Sequence, residues 1–74
     1  MQLKPTQFKV LGVLVENKDK WLGSDEIYRL SKVQKNHIDS AVIFLWNNGY
    51  AYDANIDGKI KVTPDGINLY YECL

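Results

Sequence analysis

The chain has 74 residues, of which 46% are apolar, and its nine Lys plus Arg are balanced by nine Asp plus Glu. That length holds one domain around one core, and that composition is globular rather than disordered. A formal charge of zero excludes a strongly basic nucleic-acid coat and a polybasic membrane binder, while leaving room for a local basic face.

Cys73 is the one cysteine and His37 the one histidine. An internal disulfide is therefore excluded, and a Cys/His zinc site is not expected. The opening Met1-Gln2-Leu3-Lys4-Pro5 has no apolar signal region. The longest apolar runs, 10–15 and 41–46, fall well short of the ~20 residues that span a bilayer. The expectation is a soluble, reduced, cytoplasmic domain with no membrane association. A core of this size supplies only ~3–5 kcal/mol, so the two Phe, two Trp and five Tyr carry much of the burial.

Pro5 suits the first turn of a helix, where its missing N–H is no loss. The helix is predicted to run to Asn17, with Phe8, Leu11, Leu14 and Val15 at helical spacing. Gly12 within it reads as a close contact with another helix. Residues 16–20 form a polar loop, and Trp21-Leu22-Gly23 is long enough for one or two sheet pairings. Ser24 is the expected N-cap of a short helix ending near Ser31, with Asp25 and Glu26 in its first turn and Ile27 and Leu30 as its apolar face. After Val33 a further helix is predicted over 34–47. Its inner stripe is Ile38, Ala41, Val42 and Leu45, flanked by Phe44 and Trp46. The angles predict burial for Trp46 and exposure for Ile43. Asn47-Asn48-Gly49 ends the helix, with Gly49 as a left-handed cap.

Residues 50–54 and 59–62 alternate as two strands around the turn signal Asp57-Gly58. A two-residue loop would set Asp53 opposite Val62 on the buried face. A three-residue loop over 56–58, with Gly58 left-handed, pairs Ala54 with Ile60 and Tyr52 with Val62, and is self-consistent. Thr63 and Pro64 start a last helix, with Ile67, Tyr70, Tyr71 and Leu74 as its apolar residues. The sum is an α+β single domain over 1–74: a winged helix-turn-helix, with a three-helix core, a two-stranded β-hairpin wing and a short C-terminal helix.

Three stretches give this pattern a family likeness. Leu3-Lys4-Pro5-Thr6-Gln7-Phe8-Lys9-Val10-Leu11 resembles the first-helix opening of MarR-family regulators. Residues 33–49, with their exit Leu45-Trp46-Asn47-Asn48-Gly49-Tyr50-Ala51, are similar to that family's recognition helix and its passage into the wing. Val62-Thr63-Pro64-Asp65-Gly66 resembles the stretch that leads out of the wing. The likeness covers nearly the whole chain and implies a winged-helix DNA-binding fold. Ser40 stands where the family often has Arg, and Lys59 and Lys61 stand in place of the usual wing Arg. The terminal helices that build the MarR dimer have no counterpart within these 74 residues.

In such a fold the outward and leading residues of the recognition helix meet the major groove. Here they are Gln34, Lys35, Asn36, His37 and Ser40, with Ile43 able to meet a thymine methyl. Lys32, Lys35, Lys59 and Lys61 are the expected phosphate contacts. Residues 32–61 hold these four lysines against Asp39, Asp53 and Asp57, a local charge of +1. So thin a surplus favours a homodimer as the unit that binds double-stranded DNA. Tyr50, Tyr52, Tyr70, Tyr71 and Leu74 fit either a core under the wing or a seam between two copies. The rival expectation is a protein-interaction module with a partner at Ile43 and Phe44. No phosphate loop, nucleophile context or carboxylate pair points to an enzyme, and no cofactor is expected.

Overall fold

The computed structural model describes residues 3–74. Met1 and Gln2, which begin both the expected 1–74 domain and the opening stretch read above, lie outside the described residues. The elements are α1 (Pro5–Glu16), α2 (Ser24–Ser31), α3 (Lys35–Asn47) and α4 (Pro64–Glu72).

α1 begins at Pro5, and the Lys4 backbone N–H donates to Gln7 Oε1 at 3.0 Å. Its residues Val10–Val15 are all buried, so α1 is enclosed on every side instead of presenting one stripe. It packs on α2, α3 and α4 and is the axis of the molecule. Gly12 makes the expected close contact, because a Cβ there would lie 3.0 Å from Cε1 of Tyr70 on α4. Tyr70 also stacks on Phe8 of α1, with ring centroids 5.1 Å apart.

Gly23, not Ser24, is the N-cap of α2; Ser24 is already helical, and no side chain caps this end. Ile27 is the buried anchor of α2, while Leu30 is exposed. α2 ends at Lys32, which adopts the left-handed conformation at φ 62 and donates its N–H to the Tyr28 carbonyl at 2.8 Å. The Val33 N–H donates to Ser31 Oγ at 3.1 Å, and the Val33 side chain is buried. This tight turn sets α3 directly after α2. α3 buries Ile38, Ala41 and Leu45 as predicted, and Val42 and Phe44 pack partly against the core. Gly49 follows the C-cap Asn48 at φ 80, as expected. Trp46 is exposed, against expectation, and Ile43 is exposed as expected.

The α+β class and the two-stranded wing require correction. Among the described residues there is no strand, only the isolated antiparallel bridges Leu22↔Ile60 and Ala51↔Val62. The described residues form four helices joined by loops. The physical reason lies in where the backbone groups of residues 51–62 are spent. Ile60 bonds Leu22 in both directions, at 2.8 and 2.9 Å, rather than residue 54. At the tip, the Asn55 carboxamide oxygen accepts from the N–H groups of Asp57 and Lys59, both at 2.9 Å.

The register also changes along the segment. At the tip, the Asn55 N–H donates to the Lys59 carbonyl and Gly58 has φ 74, which fits the three-residue loop. At the base, the Tyr52 N–H reaches the Lys61 carbonyl and the Thr63 N–H reaches the Tyr50 carbonyl. Ala51 therefore opposes Val62 and is buried, whereas Tyr52 turns outward. The predicted Tyr52–Val62 and Ala54–Ile60 pairs are not formed.

Thr63 fixes the start of α4. Its hydroxyl accepts from the Gly66 N–H at 3.1 Å and donates to the Gly49 carbonyl at 2.7 Å. One side chain thus joins the exit of α3 to the entry of α4. The buried residues of α4 are Gly66 and Leu69; Ile67 and Tyr70 are partly buried, and Tyr71 and Leu74 face outward. The predicted apolar face is corrected in that respect: Leu69 takes the place given to Tyr71 and Leu74.

Candidate nucleic-acid interface

The inner side of α3 is locked into the core by Ile38, Ala41 and Leu45, so its outer side is fixed as well. Asn36 and Ser40 are exposed on that outer side, and Gln34, Lys35 and His37 are exposed around the head of the helix. Gln34 is the N-cap residue, and its side chain makes no capping hydrogen bond. Its carboxamide is left available at the head of the helix. The Ser40 hydroxyl donates to the Asn36 carbonyl at 3.2 Å, which leaves its lone pairs for an incoming donor.

The lysines are more engaged than the sequence suggests. Lys35 forms an ion pair with Asp25 in the first turn of α2. The hydrogen bond and the charge of Lys35 hold the Asp25 carboxyl below its ordinary pKa. The same two effects, exerted by Asp25, hold the Lys35 ammonium above its own. Both groups are exposed, so water screens the pair. Lys61 places its ammonium 6.0 Å from the centre of the Trp21 ring, and Trp21 lies 6.4 Å from Tyr52. Lys59 is half-buried in a depression that also holds Asp25, Glu26 and Asp57. Lys32 stands exposed at the α2–α3 turn. Lys35, Lys59 and Lys61 thus have separate neighbours: Asp25, a group of acids and the Trp21 ring, respectively.

Phe44, expected beside Ile43, packs partly against the core instead. The surface next to Ile43 is made by Trp46, whose indole N–H donates to the Asp53 carboxylate. That contact joins the end of α3 to the 51–62 segment. Its residues were separately visible in the sequence, but no spacing rule pairs a helix end with a loop carboxylate. Among the described residues no cluster of His, Cys, Asp and Glu could hold a metal ion, and no helix is long and apolar enough to cross a membrane.

No protein-family model matches the sequence, and no curated protein matches it. Among solved structures, the chain is similar to the crystal structure of ligand-free NadR, with a TM-score of 0.78 and 18% sequence identity. The match covers 97% of this chain and 52% of the NadR chain, so the chain spans about half the length of that protein. At this identity the likeness shows the fold alone: a helix-turn-helix of the winged-helix type.

Proposed function

We propose that this chain is a DNA-binding protein of the winged-helix type that acts as a transcriptional regulator, reading the major groove of double-stranded DNA with α3. The observation that carries the reading is the two-sidedness of α3. Its inner side is buried by Ile38, Ala41 and Leu45, while its outer side exposes Asn36 and Ser40 and its leading end exposes Gln34, Lys35 and His37. Asn and Gln suit adenine, and Lys suits guanine or phosphate. The winged-helix-type fold supports this docking geometry. Lys32, Lys59 and Lys61 are the further phosphate contacts, and a homodimer is the binding unit because one copy offers few cations. The single cysteine fits a reducing cytoplasm.

Fluorescence anisotropy with a mixed-sequence duplex across a salt series tests the reading. Affinity should fall as salt rises, with a slope that counts the phosphate contacts. Lys35→Ala with Lys61→Ala should weaken binding to every duplex and flatten the slope by about two ions. Equal affinity for this double variant and the parent would overturn the assigned face.

A further inference from the structure

The trailing half of α3 and the 51–60 segment enclose an apolar groove that the reading of DNA leaves unused. Two adjoining hollows, of about 370 and about 330 Å³, share Val42, Ile43, Ala54 and Ile60 as their floor. Ile43 is 54% exposed, and the adjoining Trp46 and Tyr52 are 47% and 45% exposed. The Trp46 indole N–H donates to the Asp53 carboxylate and so joins α3 to the 51–62 segment along one wall. Its charged lining residues are Asp39 and Asp53, and neither hollow is lined by a lysine or arginine. The depression beyond Ser24 and Gly58 adds Glu26 and Asp57 against Lys59, together with Asp25, whose charge is paired with Lys35.

Charge decides what fits. An apolar floor between carboxylates repels phosphate and attracts cations. A two-fold pairing of the groove with itself would set Asp39 and Asp53 against their own copies. We propose that this groove binds a short amphipathic segment of a partner protein. Apolar side chains of the segment cover Ile43 and Ala54, and flanking Lys or Arg side chains meet Asp39 and Asp53. The proposal does not depend on duplex binding. It does give that binding a control, because Ser40 lies one turn before Ile43 on the same side of α3. An occupant of the groove crowds the reading side.

The test is a titration of the isotope-labelled full chain, followed by amide and indole resonances, with a synthetic helical peptide of Leu and Lys. A Leu/Glu peptide of the same pattern is the control. The Leu/Lys peptide should move the resonances of Ile43, Ala54 and the Trp46 indole, and the Leu/Glu peptide should not. Ile43→Glu should abolish the response, and Asp39→Lys should weaken it about fivefold. Both positions are on the surface, and the spectrum of each free variant reports whether its fold is intact. An equal response to both peptides, no response at these resonances, or a response unchanged by Ile43→Glu would overturn the proposal. So would movement of the same resonances on simple dilution, which would name a second copy, or on addition of duplex, which would place DNA in the groove. Failure of duplex binding at residues 34–40 is read separately and leaves the peptide titration intact.

Discussion

Gly66 and Gly12 are both buried in helices, yet they tolerate a methyl group very differently. A Cβ on Gly66 would lie 2.2 Å from the Tyr50 carbonyl oxygen and 2.7 Å from Cγ2 of Val62. Backbone cannot yield there without opening the junction that Thr63 closes. Gly66→Ala should therefore cost about 3 kcal/mol, the upper end for an overpacked core. At Gly12 the nearest atoms are the ring edge and hydroxyl of Tyr70, at 3.0 and 3.3 Å, and a ring edge can shift. Gly12→Ala also regains about 1 kcal/mol of helix propensity, so its net effect should lie within about 1 kcal/mol of zero. Urea unfolding of the two variants checks the contrast, and equal midpoints would refute it. The close packing at Gly12 was legible, since a glycine inside a helical pattern calls for a reason. The close packing at Gly66 has no mark in the sequence, because its neighbour Tyr50 is distant along the chain and is brought close by the fold.

Helices α2 and α3 meet through a charge as well as through Ile27 and the core. The Asp25–Lys35 pair ties the head of α3 to the first turn of α2, and a phosphate arriving at Lys35 must displace a carboxylate. Asp25→Asn should raise duplex affinity several-fold at low salt and steepen the salt dependence by about one ion. Anisotropy at two salt concentrations measures it; unchanged affinity at both would show that Lys35 does not meet phosphate. The pH dependence follows from the lowered Asp25 carboxyl. Its contribution is complete above the ordinary Asp pKa of about 4 and is lost as pH falls through the lowered value. The helices themselves were legible from periodicity, Pro5, Thr63 and Gly49. The 51–62 segment was not: its residues alternate as two strands, yet among the described residues the hairpin they suggest is absent and only isolated bridges form. Alternation reports which side chains face inward and says nothing of which backbone is the partner. Leu22 took Ile60, and a slip between tip and base put Ala51 opposite Val62.

The whole molecule gathers its core around α1 and leaves α4 with an uncovered outer side. Tyr71 and Leu74 are exposed beside the Phe8–Tyr70 stack. If this surface is the seam of the proposed homodimer, Tyr71→Asp with Leu74→Asp should halve the mass seen in sedimentation. The lost avidity should weaken duplex binding by at least about tenfold. A parent chain that is monomeric where it binds duplex would refute the seam. The sequence named the aromatic residues concerned but could not divide them between core and surface. Tyr70 went inward because Gly12 leaves it room, and Tyr71 did not.

The two-way bond between Leu22 and Ile60 bears on how the molecule opens. It joins a residue of the loop before α2 to one far beyond α3, and each end is otherwise a loop. Both halves close the long stretch of chain that holds α2 and α3, so the bond carries the loop-closure cost of a non-local contact. In the native state its two amide protons should share one fate. Matching protection of the two amides in native-state hydrogen exchange is the expected outcome, since both bonds close the same bridge. The groove beside α3 is thus bordered by a clasp whose two halves come from distant parts of the chain.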